Sequence, residues 1–287
     1  MNDGMEAGLT GWVGRSRSVH DEVSAALMRR MAATLDQEID LAPGSPIPPH
    51  WIAILFDDAQ PQSTLGPDGH PSKGEFLPPV PLPRRMLAGR RLSFHEPARI
   101  GDALERRSEI VSITPKTGRS GQLIFVGLRH TVTGPRGVVA VEEQDIAYRE
   151  AAPEGGAKET KAEAPAEPEP AWDEAFSPDP VLLFRYSALC FNGHRIHYDA
   201  DYARTEEGYP ALVVNGGLTS LMLLEAARRQ AGGRTPARYA VRTIRPLFVG
   251  RQFRLRGTAI DGEGKARAWA AGTDGAALLR IDLEYAP

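Results

Sequence analysis

The sequence predicts an α+β protein in which two antiparallel sheets each wrap a helix, and three observations carry that prediction. Residues 151–170, AAPEGGAKETKAEAPAEPEP, hold no aromatic side chain and no aliphatic one larger than Ala. Such a stretch cannot offset the entropy of ordering, so it reads as a disordered, solvated linker between a first half (1–150) and a second half (171–287). The halves share the motif P-x-x-[IV]-G-x-x-[LF], as Pro97–Leu104 and as Pro246–Phe253, each at the head of a series of strand-like segments. Residues 217–230, GLTSLMLLEAARRQ, carry apolar side chains nearly all round from Leu218 to Ala227. That is the pattern of a helix enclosed by a sheet rather than laid on a surface.

In the first half, DEVSAALMRRMAATL (21–35) places Val23, Ala26, Leu27, Met31 and Leu35 on one helical face, with Asp21 as the expected N-cap. Residues 40–85 are rich in Pro and Gly; they read as irregular chain, either covering part of a substrate cleft or serving as plain structural loop. Strands are expected near 106–114, 122–133 and 137–148, with the turn Gly134–Gly137 between the last two. In the second half a strand is expected over Val181–Leu189, then the buried helix, then strands near 253–260, 265–271 and 276–285. Asp261-Gly262 and Asp274-Gly275 supply the turns. The repeated motif heading two similar meanders points to duplication. An antiparallel sheet around one buried helix is the hot-dog architecture, here expected twice.

Composition sets the outer limits. A net charge of -3 and a pI of about 6.2 leave no electrostatic footprint for nucleic acid. The single cysteine, Cys190, excludes an intramolecular disulfide and a cysteine-rich zinc site; it is expected to pack. No apolar run reaches the ~18 residues of a membrane span, and MNDGMEAGLTGW lacks the layout of a signal peptide, so a cytoplasmic location is expected.

Groups able to do acid–base work cluster in residues 186–203, YSALCFNGHRIHYDADYA: Asn192, His194, Arg195, His197, Tyr198 and Asp199. A strand end delivering a histidine beside a cleft is one reading, and a surface loop with a capping Asp is the other. His197 is the candidate base, since an unperturbed imidazole titrates near ~6.5. His194 is either a second polar contact or a structural histidine. Arg195 either supports the loop or meets an anion. Asp199 either acts directly or caps the short helix DYARTEEG. Val214-Asn215-Gly216-Gly217 precedes the buried helix; the two glycines either let the backbone approach a ligand closely or simply end a strand, and Asn215 either caps the helix or faces a ligand. Gly66–His70 reads as a structural turn. His194 and His197 lack the partners of a ligand set, so no metal is expected.

The 186–203 stretch resembles the signature of MaoC-type, R-specific enoyl-CoA hydratases, in which a Tyr-led segment runs into an Asp, an Asn, a His five residues after the Asp, and an Ala. Tyr186, Asn192, His194, His197 and Ala203 fall on those positions, with Asn192 replacing the Asp. FNGHRIHYD, GPDGHP (66–71), FLPPVPLPRRMLAGRR (76–91), KTGRSG (116–121) and EEQDIAYR (142–149) resemble a narrower branch. That branch comprises mesaconyl-C4-CoA (3-methylfumaryl-CoA) and itaconyl-CoA hydratases and mitochondrial-type 3-hydroxyacyl-thioester dehydratases. The resemblance implies a double hot-dog hydro-lyase with a non-catalytic, dehydratase-type first half, a catalytic second half, and no cofactor beyond the CoA of the substrate. It implies that His197 takes a proton from water, that Asn192 accepts a hydrogen bond and orients that water, and that the helix N-terminus polarises the thioester carbonyl, with the N–H of Gly217 first and of Gly216 second as the candidate donors. A distal carboxylate on the acyl group calls for an arginine in the cleft, with Arg84, Arg85, Arg90, Arg91 and Arg245 as candidates. Three functions are therefore carried forward: hydration of a branched dicarboxylic enoyl-CoA, dehydration of a 3-hydroxyacyl thioester on CoA or a carrier protein, and silent acyl-thioester binding. The expected partner is an acyl-CoA, with no nucleic acid or membrane; a homodimer is an open option, because two fused modules already imitate the usual hot-dog dimer.

Overall fold

The computed structural model describes residues 8–57, 59–70, 76–82, 84–118, 121–150 and 166–286. The first half runs β1 (Ser16–Glu22), α1 (Ala25–Thr34), a 3-10 turn at Pro49–Ile54, β2 (Arg84–Phe94), β3 (Ala103–Gly118), β4 (Gly121–Gly134) and β5 (Gly137–Arg149). The second runs β6 (Trp172–Phe176), α2 (Pro180–Leu189), α3 (Ala200–Thr205), α4 (Gly216–Gln230), β7 (Pro236–Thr243), β8 (Phe253–Gly257), β9 (Lys265–Ala271) and β10 (Ala277–Tyr285). The strands form one ten-stranded sheet in the order β1-β3-β4-β5-β2-β7-β10-β9-β8-β6. Read from either edge inward, each half has the same order, so the architecture is a double hot-dog whose two expected sheets are fused. The seam is the antiparallel pair β2·β7, with Arg90 opposite Val241 and Leu92 opposite Tyr239.

The repeat motif marks equivalent places. Gly101 (φ +90°) and Gly250 (φ +83°) both take the left-handed conformation that only glycine adopts without strain. Ahead of the first, Pro46 bridges Arg99; ahead of the second, Val213 bridges Phe248. These bridges align the 3-10 turn Pro49–Ile54 with the start of α4, and α1 with α2. The expected helix 21–35 is therefore shorter and is not the counterpart of the buried helix. Asp21 is not its cap: SRSVHDE alternates exposed and half-buried positions as β1, and the Ser24 hydroxyl accepts from Leu27 N–H at 3.2 Å. The first half thus wraps a single short turn where the second wraps a fifteen-residue helix.

Val181–Leu189 is helical rather than extended. Asp179 caps it by accepting from Leu182 N–H at 2.8 Å, Pro180 occupies the first turn, and Leu183, Tyr186 and Ser187 are buried at helical spacing. Of the linker, residues 151–165 lie outside the described residues. The remainder is anchored, since the buried Glu167 carboxylate pairs with Arg280 and lies 3.7 Å from Arg267.

One apolar core spans both halves, joining Met28, Met31, Trp51 and Leu104 to Leu218, Leu223, Leu255 and Ile281. Within it the α4 residue Glu225, 1% exposed, accepts from Trp51 Nε1 at 2.6 Å and Arg228 Nε at 2.9 Å, and lies 2.8 Å from His50 Nε2. Arg228 reaches on to Gln37 at 2.7 Å. Burial pushes the Glu225 carboxyl up, but the His50 and Trp51 hydrogen bonds and the Arg228 charge outweigh it and hold it at about 2. A charge buried with this many partners ties the first half to the helix of the second.

Candidate active site

α2 ends at Leu189, and Phe191 turns the chain with φ 47° into a 3-10 turn at Arg195–His197. His197 is 7% exposed. Its Nδ1 lies 2.7 Å from the Val213 carbonyl, an atom that only accepts, so Nδ1 carries the proton and Nε2 keeps its lone pair. Burial pushes the imidazole pKa below the ordinary histidine value, the Val213 bond pushes it up, and His70 pushes it down; the net shift is down. His197 therefore stays neutral at neutral pH, the form in which it can take a proton.

Val213 lies three residues before Gly216, the first residue of α4, a chain span of at most about 10 Å. Asn215 caps α4 by accepting from Gly217 N–H at 2.8 Å, which settles its role and occupies the first-choice donor. The Gly216 N–H has no acceptor among the described residues, Gly216 is exposed, and a Cβ there would meet nothing within 4 Å. At the head of α4 it is thus Gly216, not Gly217, whose N–H is left without an acceptor among the described residues. At Gly217 a Cβ would overlap the Tyr186 hydroxyl.

The other candidates are placed as follows. Asn192 closes a turn, its Oδ1 accepting from His194 N–H at 3.0 Å, so the oxygen expected to orient water is already engaged once. Asp199 is the cap of α3, accepting from Tyr202 N–H at 3.0 Å, and pairs with Arg195 at 2.8 Å. Arg195 supports the loop: besides Asp199 it donates to the Pro67 carbonyl at 3.0 Å and lies over the Tyr202 ring at 4.0 Å. Arg245 turns to Asp274 at 3.4 Å instead of to the histidines. Burial pushes the Cys190 thiol up to about 12, the state of a packed cysteine rather than a nucleophile.

Among the arginines, Arg85 is exposed and Arg91 is occupied on the surface by Glu143 and Asp145. Arg90 differs. Its Nε donates to the enclosed Glu142 at 2.6 Å, and no described residue accepts from its terminal nitrogens. Its charge acts on the buried Tyr186 and Tyr239, whose hydroxyls burial pushes up.

Sequence reasoning missed one part of the site. The turn Gly66–His70 sits against the 192–199 loop, the Asp68 carbonyl accepting from Arg195 N–H at 2.9 Å. The His70 ring lies 3.9 Å from the His194 ring, and His194 meets His197 edge-on at 5.4 Å. Asp68, His70 and His194 bring ligand atoms within 4.8 Å of one another, the one metal-type set among the described residues. The two rings are tilted to each other at an interplanar angle of 36°. Depressions of 130 Å³, beside Trp172, Gln230 and Tyr285, and of 390 Å³, beside Arg107, Glu109 and Arg129, have no histidine in their linings.

The fused double hot-dog is the fold of MaoC-like dehydratases, and the chain belongs to the hydroxyacyl-thioester dehydratase type 2 family, whose model matches residues 49–249. It is 43% identical over 281 residues to the mesaconyl-C(4)-CoA hydratase of Chloroflexus aurantiacus, covering 95% of this chain and 96% of that one. It is 27% identical over 266 residues to the mitochondrial hydroxyacyl-thioester dehydratase type 2 of Schizosaccharomyces pombe, covering 82% and 87%. A MaoC-like dehydratase from Phytophthora capsici shares the fold, with a TM-score of 0.69 at 17% identity over 95% of each chain.

Proposed function

We propose that the chain hydrates a branched dicarboxylic enoyl-CoA of the mesaconyl-C4-CoA type. The observation that carries the chemistry is the fixed tautomer of His197: its Nδ1 is committed to the carbonyl of Val213, which lies three residues before the unpaired Gly216 amide at the head of α4, and its Nε2 keeps the lone pair. Water bound at Nε2 loses a proton to His197 as its oxygen attacks the β-carbon. Negative charge then builds on the thioester oxygen. The Gly216 N–H and the positive end of α4 stabilise it there, where a preorganised donor acts without reorganising. The α-carbon of the enolate then gains a proton as His197 gives up the one it took, so that one water is added across the double bond, the imidazole is neutral again and the hydroxyacyl-CoA leaves. No step needs a metal or a redox cofactor.

The distal carboxylate is what distinguishes this reading from dehydration of a fatty 3-hydroxyacyl thioester. Arg90 supports it: an enclosed guanidinium with Glu142 on Nε and its two-pronged end unclaimed suits a carboxylate. The 43% identity over nearly the full chain points the same way. The test is a panel of enoyl-CoAs with and without a distal carboxylate, run on the wild type and on His197→Ala. Hydration that favours the dicarboxylate and falls about 10²–10⁴-fold in the variant is expected. A preference for long unbranched chains selects the dehydratase reading instead. No turnover of any member selects the silent binder.

A further inference from the structure

The turn Gly66–His70 belongs to the first half, yet its contacts are with the loop that carries His197. Gly69, at φ +84°, passes so close to Gly193 that a Cβ would overlap the Gly193 carbonyl, and a Cβ on Gly193 would meet the Gly69 oxygen at 2.9 Å. The backbones are in contact because both residues lack side chains. Arg195 pins the approach from its main-chain N–H to Asp68 and from its guanidinium to Pro67. The turn also organises itself: the Asp68 carboxylate accepts from His70 N–H at 3.0 Å and lies 3.3 Å from His70 Nδ1. The result is a row of three rings from the surface inward. His70 is 38% exposed, His194 is half-buried, and His197 is buried.

We propose that His70, seated by Asp68, is a positioning residue for the hydration: stacked on His194, it holds that ring edge-on against His197 and so fixes the base from the other half of the protein. The proposal rests on the reading of His197 as the base. A row of imidazoles with one end tied to a carboxylate and the other to a backbone carbonyl has little freedom to rotate. It also has an electrostatic consequence. The groups facing His197 are the Val213 carbonyl, His194 and, beyond it, His70 with Asp68; Arg195 is neutralised by Asp199, and Tyr198 is turned to the Gly193 carbonyl at 3.1 Å. Burial first, then His70 and His197, hold His194 down at about 4, with Asp68 opposing. His70 likewise pushes His197 down. Removing His70 therefore lets His197 protonate at higher pH, and the acidic limb of kcat/KM, which reports the free enzyme's base, moves upward.

The experiment measures kcat/KM from pH 5 to 9 with crotonyl-CoA for full-length wild type, His70→Ala, His70→Gln and His197→Ala, with thermal unfolding alongside. His70→Ala should lose about ten-fold or more at neutral pH, the loss expected from a loosened base, and show a displaced acidic limb. His70→Gln fills the space and bonds Asp68 but carries no charge. It should recover most of the plateau rate and keep the displaced limb. A wild-type limb in both variants overturns the proposal, as does a fall in unfolding temperature with the limb unmoved, because either result assigns His70 to packing. His197→Ala separates the two readings. If it retains activity, the base lies elsewhere whatever the His70 variants do.

Discussion

Replacing Gly216 by Pro removes one hydrogen from the site and little else. Gly216 is the first residue of α4, where proline is favoured because its missing N–H has no helical partner. The preceding residue must avoid the α conformation, and Asn215 already sits at φ -59°, ψ 128°. A Cβ at this position meets nothing within 4 Å, and the cap from Asn215 to Gly217 N–H is untouched. Stability should therefore stay within about 0.5 kcal/mol of wild type, as for a surface change that breaks no feature. If the Gly216 amide is the donor to the enolate oxygen, its loss should cost about 10²–10³ in kcat, or roughly 3–4 kcal/mol of transition-state stabilisation. Gly216→Ala keeps the N–H and should cost only a few-fold. The assay is enoyl-CoA hydration followed by the loss of thioester-conjugated absorbance, with denaturant unfolding on the same samples. Wild-type kcat in a folded Gly216→Pro protein would refute the reasoning and return the donor to another amide.

Further tests follow from the same geometry. Asn192→Asp keeps an acceptor for His194 N–H and adds a negative charge near His197; it should stay active and move the acidic limb of the pH–rate profile upward, and an inert variant shows that the water site is built around the amide. Removing both Arg90 and Glu142 as Arg90→Leu/Glu142→Leu avoids stranding a buried carboxylate; kcat/KM for a dicarboxylic enoyl-CoA should fall about 10²-fold, with crotonyl-CoA changed only a few-fold, and equal losses contradict the carboxylate role. The depressed Glu225 carboxyl contributes stability that is complete above about 4.5 and is lost as pH falls toward about 2, roughly 3 kcal/mol in all; unfolding of wild type and Glu225→Gln should converge across that window. Hydration should survive exhaustive chelation, and a loss reversed by zinc would make Asp68, His70 and His194 a ligand set.

The parts of the fold that were legible in the sequence are those set by local chemistry. The all-round apolar face of 218–227 identified α4 as enclosed, and the repeated P-x-x-[IV]-G-x-x-[LF] located two glycines that share a left-handed conformation. α2 was misread because VLLFRYSAL is a short apolar run whose period does not separate strand from helix; the deciding signal, Asp179 followed by Pro180, lay just upstream. Asp21 looks like a cap because the β1 alternation ends at Glu22, immediately before Val23, the first apolar residue of the helical face. At the site, the 186–203 cluster was visible because its residues are contiguous. The turn at 66–70 was not, because its partner is about 125 residues away and the contact is made by backbone, through two glycines that a sequence presents only as turn formers.

The two halves differ in the segment that follows the equivalent bridges. In the second half the segment after the Val213–Phe248 bridge is a full helix, so its first amide can point at a developing charge with a dipole behind it. In the first half the equivalent segment is a 3-10 turn that begins with Pro48 and Pro49, which lack the N–H such a donor requires. The first amides of that turn are therefore absent as donors. Its residues are instead committed across the seam: His50 and Trp51 to Glu225, Asp68 and His70 to the catalytic loop, and Arg90 to the edge shared with β7. Substitutions on the outer face of β3 and β4 should thus be near-neutral, while those at these five contacts should reach either stability or turnover in the half that never contacts them in sequence.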